Sequence, residues 1–364
     1  MLHKSLTAVA LVATTLVGLS PVAAAAEPPK MSLQQQLEKS VTVGVAGMQV
    51  RVIRNGTTSF GAAGVSQLGT TQPVALDGRF RIGSITKMFV ATRVLMLVGD
   101  SKLDLDAPAY RYLPNVLNPQ DHGAITVRML LGHTNGLATY LDLLPLFTGG
   151  PDEVRKARFT HYTARELVDM ALKRPADFAP GTKWAYSNTG YLLLGMLIEN
   201  VTGEHWSKQV TKHILQPLRM KETFIPGDST RIPGKHAHGY HQGLDITRLN
   251  PSFGGAAGEM ISTTADLDIF QVALTSGKLI SPRWLAEARK PGAHNKSWGL
   301  GVVTLPTSCG ITMYGHTGGI PGYQSFSFAS ADSKHRVNGS VTVGKSGPQT
   351  EEHAFATVDA AVCG

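Results

Sequence analysis

The chain has 364 residues, 42% apolar and 16% charged, a balance that excludes intrinsic disorder, collagen-like repeats and a small disulfide scaffold. Lys and Arg outnumber Asp and Glu by 34 to 26, a formal charge of +8. The basic residues are scattered and form no run that would track phosphates, so a nucleic-acid partner is not expected.

The N-terminus has the layout of a secretory signal peptide: His3 and Lys4, an apolar run from Leu6 to Leu19, then Ala24-Ala25-Ala26 before Glu27. The run is short for a membrane span. Cleavage after Ala26 is expected, leaving residues 27–364 as a secreted, extracellular protein without a membrane span. The two cysteines, Cys309 and Cys363, are expected to form a bridge in that oxidising setting.

Val41 to Phe60 reads as two strands joined at Arg54-Asn55-Gly56. Met88, Phe89, Val90, Val94, Leu95 and Leu97 recur at helical spacing and end at Gly99-Asp100. Ile125–Leu131, Thr163–Leu172 with a capping box, Gly190–Val201 and Ala265–Leu274 also read as helices. From Trp298 the texture is β-rich: Leu300–Leu305, Ile311–Tyr314, Tyr323–Ala329 and Val337–Val343, followed by a helix over Glu351–Val362. The pattern predicts an α+β fold. An antiparallel sheet is built from both chain ends (about 27–80 and 291–364) and flanked by terminal helices, with a mostly helical part (about 81–290) inserted.

Three short motifs carry chemistry. Ser84-Ile85-Thr86-Lys87 puts a hydroxyl and an amine on one face at a helix start, where backbone N–H groups and positive partial charge favour a nucleophile. Alone this spacing is weakly specific, since a capping Ser with a surface Lys has the same pattern. Tyr186-Ser187-Asn188 lies in a loop before the apolar helix; Tyr186 is a candidate second proton shuttle, and Asn188 a candidate partner of Lys87 and of a substrate amide. His316-Thr317-Gly318-Gly319 is placed between β-rich runs, where glycines allow close approach of a ligand. The N–H groups of Ser84 and Gly319 together are a candidate oxyanion hole.

The ordered set resembles the serine β-lactamase and penicillin-binding protein superfamily, and within it the secreted actinobacterial D-alanyl-D-alanine carboxypeptidases and, next, the class C β-lactamases. Phe80-Arg81-Ile82-Gly83-Ser84, Lys102-Leu103-Asp104-Leu105-Asp106, Ile125-Thr126-Val127-Arg128, His133 with Gly136-Leu137, and Ser308-Cys309-Gly310-Ile311 extend the likeness from about Val41 to Cys363. It implies a β-lactamase/transpeptidase-like fold, a Cys309–Cys363 bridge and acyl transfer through Ser84. Lys87 and Tyr186 would share the protons. Asn188, His316, Thr317 and Gly318 would bind substrate, and Ser84 and Gly319 would form the oxyanion hole.

The implied substrate is a D-alanyl-D-alanine peptide of peptidoglycan, with β-lactams as acylating ligands. The alternatives are an esterase, a D-amino-acid amidase or a β-lactamase on the same machinery, or a penicillin-binding protein with little turnover. A monomer without cofactor or metal is expected. His236, His238 and His241 read as a surface loop rather than as metal ligands, and His133 and His213 as structural.

One departure bears on substrate. No Lys or Arg occurs from Ser297 to Ser333, Val303 stands where a carboxylate-binding Arg is expected, and Gly319 replaces a hydroxyl residue. Either His316 as a cation, or a distant Arg, would have to hold a substrate carboxylate, or the substrate lacks one. Phe253-Gly254-Gly255 is expected to line the mouth of the site.

Overall fold

A computed structural model describes residues 31–42, 44–344 and 350–364. Residues 1–26, expected to be a signal peptide, lie outside them, as does Val43.

Six strands form one antiparallel sheet: β1 (Val45–Arg54), β2 (Thr57–Gly64), β3 (Val303–Pro306), β4 (Thr312–Ile320), β5 (Tyr323–Ser330) and β6 (His335–Val343). Their spatial order is β2-β1-β6-β5-β4-β3. The two chain ends meet in the middle, where β1 pairs with β6 and Val52 stands opposite Val337. The hairpin β1–β2 turns through Asn55 and Gly56, both at positive φ, as its turn chemistry requires. Val41 and Thr42 differ from expectation. They close a helix, α1 (Leu33–Thr42), and the first strand starts at Val45.

One face of the sheet packs on α1 and the last helix, α5 (Thr350–Cys363). Met48, Val50, Met313, Phe326, Phe328, Val341 and Val358 fill that layer. The chain end is fastened twice. Cys309 and Cys363 are disulfide-bonded, with Cα atoms 5.6 Å apart. Arg54 donates to the carbonyls of Ala361 and Gly364, both at 2.6 Å, at the helix end where a cation is favoured.

The other face meets the large core of the inserted helices. These include α2 (Thr86–Gly99), α3 (Asn188–Thr202), which ends at a left-handed Gly203, and α4 (Thr264–Thr275). Phe89 of α2 and Phe270 of α4 stack at 4.0 Å. Polar contacts fix α4 on the sheet: Gln271 donates to Ser327 at 2.9 Å, and the largely buried pair Arg336–Asp268 closes at 2.6 Å. The capping box of Thr163 and Glu166 is present as expected.

Two strand expectations change. Leu300–Leu305 is a strand only from Val303, because Gly301 bends at φ 74° against Ala91. His316-Thr317-Gly318-Gly319 does not lie between strands but inside β4. β3 pairs only with residues 312–315 of β4, so the β4 edge over 316–320 is left without a strand partner on that side.

Candidate active site

Ser84 sits in a single 3-10 turn, Gly83–Ile85, that leads into α2. Gly83 takes φ 49°, and a Cβ there would fall 2.7 Å from the Gly319 nitrogen. Only glycine permits this approach, which sets the Ser84 turn against the bare stretch of β4. Ser325 on β5 donates to the Ile82 carbonyl at 2.8 Å and pins the same junction.

Lys87 is fully buried in the first turn of α2. Its Nζ lies 3.1 Å from Ser84 Oγ, 2.7 Å from Asn188 Oδ1 and 2.6 Å from the Ala257 carbonyl. Burial pushes the amine well below the ordinary lysine range. A neutral amine has two N–H groups and one lone pair. With the N–H groups on Asn188 and Ala257, the lone pair faces the Ser84 hydroxyl and can take its proton. Asn188 reaches this position because Ser187, capping α3 through Gly190 N at 3.0 Å, makes Asn188 the first helical residue.

Tyr186 packs its ring 4.8 Å from Lys87 Nζ. His133 stacks on that ring at 4.5 Å, and Trp298 meets it edge-on at 5.3 Å. His133 is more than a packing residue. Its Nδ1 accepts from the Ser187 backbone N–H at 3.0 Å, directly between Tyr186 and Asn188. It takes a left-handed φ of 60° to do so. The bond puts the imidazole proton on Nε2. Burial, then Lys87 and His316, hold His133 well below the ordinary histidine range.

His316 is also fully buried, and its Nδ1 meets the Thr317 carbonyl. Burial, reinforced by Lys87, pushes it down to about 3. It is therefore neutral at physiological pH, which corrects the idea of His316 as a cation for a substrate carboxylate. Val303 is corrected as well. Opposite Gly315, it points into the layer shared with Met313 and Val358, away from His316. Phe253 is buried in the helical core, with the half-exposed Phe147 edge-on against it at 5.4 Å; its carbonyl accepts from Tyr140 at 2.7 Å.

The loop histidines are engaged elsewhere: His236 Nδ1 with the Gly234 carbonyl, and His238 Nδ1 with Asp245, both at 2.7 Å. Among the described residues no group of three or more His, Cys, Asp or Glu is placed to hold a metal ion. His213 lies in a π-helical turn, Thr211–Leu215, remote from these contacts.

Ser84, Lys87, Tyr186 and Asn188 thus meet from two segments, beside the β4 stretch that holds His316, Thr317, Gly318 and Gly319. A beta-lactamase family model matches residues 33–360. The chain belongs to the beta-lactamase family. This family member is 28% identical over 305 residues to penicillin-binding protein 4 of Amycolatopsis lactamdurans, covering 78% of this chain and 77% of that one. Among solved structures it resembles a D-stereospecific amidohydrolase from Streptomyces sp., with TM-score 0.83, 34% identity, and 92% and 99% of the two chains covered. It also resembles the D-amino acid amidase of Ochrobactrum anthropi SV3, with TM-score 0.78, 28% identity, and 90% and 97% covered. The protein is a serine hydrolase of the β-lactamase and penicillin-binding protein fold.

His133 and Trp298 were not legible as site residues. His133 carried one signal, its place before Asn135-Gly136 in a segment resembling the family; Trp298 carried none.

Proposed function

We infer that the protein hydrolyses amides and esters of D-amino acids through an acyl-enzyme on Ser84. Lys87 takes the hydroxyl proton as the Ser84 oxygen bonds to the substrate carbonyl carbon. The N–H groups of Ser84 and Gly319 hold the oxyanion. The C–N or C–O bond then breaks, and the proton passes through Lys87 and Tyr186 to the leaving amine or alcohol. Water attacks the acyl-enzyme and releases the D-amino acid. Asn188 orients the substrate amide and Lys87, and Thr317 and Gly318 line the substrate strand.

One observation carries the choice of substrate. Residues 297–333 contain no Lys or Arg, and His316 beside the nucleophile is neutral. A C-terminal carboxylate would find no counter-charge in this stretch, and one left unpaired would cost several kcal/mol. A substrate ending in an amide or ester has no such need. The carboxypeptidase reading implied by the sequence therefore ranks below the amide and ester reading. Acylation by β-lactams is expected on the same machinery. The disulfide and the leader-like residues 1–26 support action outside the cytoplasm.

The test compares D-phenylalaninamide, a D-Ala-D-Ala peptide and D-phenylalanine methyl ester. Faster release from the amide and the ester supports the reading; faster release of D-Ala from the peptide overturns it.

A further inference from the structure

A tight turn leads into β3. Gly299 donates to the Val302 carbonyl at 2.9 Å and Thr304 to the Ser297 carbonyl at 2.8 Å, with Gly301 at φ 74° between them. A Cβ at Gly301 would fall 2.4 Å from Ala91 Cβ on α2, so only glycine lets the turn settle against that helix. The turn sets Trp298 opposite Val303, where the pairing of β3 with β4 ends. The next residue along β4 is His316.

Trp298 is half-buried, and four rings of the site meet it. Its ring stands 5.2 Å from His133, 5.3 Å from Tyr186 and 5.2 Å from His316, edge-on to each, with Trp184 tilted at 5.3 Å. Among the described residues His316 meets two rings, and the other, Tyr186, is farther away at 6.3 Å. His316 is 1% exposed. Its Nδ1 lies on the Thr317 carbonyl, which can only accept, so Nδ1 holds the proton and Nε2 the lone pair. That Nε2 is buried without a protein partner. His133 has the opposite arrangement, an Nε2–H, also buried without a partner. Both imidazoles thus share one half-buried indole as a neighbour.

We propose that Trp298 is a positioning residue whose ring is the cover that keeps water from His316 beside Lys87. The inference rests on acyl transfer through Ser84 and Lys87, not on the choice of a D-amino-acid substrate. A dry Nε2 has no solvent to stabilise a charge, so His316 stays neutral. Lys87 of α2 is the charged group that bears on it. Tyr186 and His133 are the other titratable groups beside it, and its pairing partner on β5 is the neutral Ser327. When Lys87 takes the Ser84 proton it becomes an ammonium, and a second cation next to it would oppose that step. Without the indole, water reaches Nε2, and His316 protonates near its ordinary value of 6.5 rather than at about 3. Acyl transfer then weakens as pH falls through that value.

The experiment titrates histidine-labelled full chain by nitrogen NMR from pH 8 to pH 5, the His316 signal being assigned by its loss in His316→Gln. In the wild type and in Trp298→Phe, which keeps a ring, His316 is expected to stay neutral throughout. In Trp298→Ala it is expected to protonate with a midpoint near 6.5. Over the same range kcat/KM is measured on p-nitrophenyl acetate. Relative to the wild type, Trp298→Ala is expected to lose about tenfold more for each unit of pH below its new midpoint, the slope of one proton, while Trp298→Phe follows the wild type. A purely structural role would lower Trp298→Ala by one factor at every pH, and that result overturns the proposal. So does a His316 that stays neutral in Trp298→Ala, or one that titrates in the wild type or in Trp298→Phe. Ser84→Ala, assayed alongside, tests the reaction itself. If it hydrolyses the ester as fast as the wild type, acyl transfer on Ser84 fails, while the NMR titration still decides the role of Trp298. Melting curves exclude misfolding of the variants.

Discussion

The two sides of the active site satisfy their polar atoms in opposite ways. On the nucleophile side, Lys87 is surrounded by Ser84, Asn188 and Ala257, and His133 holds the Ser187 N–H. On the strand side, β4 runs past β3 with an open edge and two glycines. Three hydrogen bonds on one buried amine fix its geometry, although among the described residues His133 Nε2 and His316 Nε2 are buried without a partner. Open backbone groups wait for a ligand. In the proposed reaction the helical side supplies the reacting groups and the strand side the substrate contacts.

Removing the nucleophile should have the largest effect. Ser84→Ala is expected to abolish penicillin adducts in intact mass spectra and to lower turnover on the order of 10⁴-fold; an adduct in this variant would place the nucleophile elsewhere. On the strand side, the double substitution Cys309→Ser and Cys363→Ser should cost about 2–4 kcal/mol in a denaturant titration. Specific activity of the folded fraction should persist, since the bridge ties α5 to the β3–β4 turn and touches no reacting group. Val303→Arg should destabilise by about 3 kcal/mol, the order expected for an unpaired buried charge, and give no gain on carboxylate-bearing peptides. A selective gain on those peptides would mean that position 303 faces substrate after all.

His133→Leu sharpens the comparison from the helical side. It leaves the Ser187 N–H without its acceptor, and a displaced Tyr186 and Asn188 should lower kcat about 100-fold on an ester. Unchanged kcat would reduce His133 to a packing role.

The smallest effect concerns Glu259, which the proposed reaction does not use. Burial, with Asp228 nearby, pushes its carboxyl up to about 8 from an ordinary 4.5. The folded state keeps the proton while the unfolded state loses it, so stability falls as pH rises from about 4.5 to about 8. In Glu259→Gln this slope should flatten, with a larger gain in Tm at pH 8 than at pH 5.

Legibility in the sequence followed the same division. Ser84, Lys87, Tyr186 and Asn188 are short-range patterns at helix starts, where capping and spacing act within a few residues. The sheet ends were also readable, because strands at both termini had to find each other. The contact of Gly83 with Gly319 was not, nor was the contact of Trp298 with His133. Both arise only when distant parts of the chain fall into register. The misreading of Val303 has the same cause, since a shift of one residue along β3 exchanges the faces of the sheet.

The Gly83–Gly319 contact also has a temporal consequence. The serine lies on one side of that contact and one proposed oxyanion N–H on the other. Neither is competent alone. A newly made chain, with its C-terminal strands not yet paired, carries the serine but only one side of the proposed oxyanion hole. Acyl transfer would switch on only when the last strands dock, so that the order of folding acts as a safety catch on the enzyme.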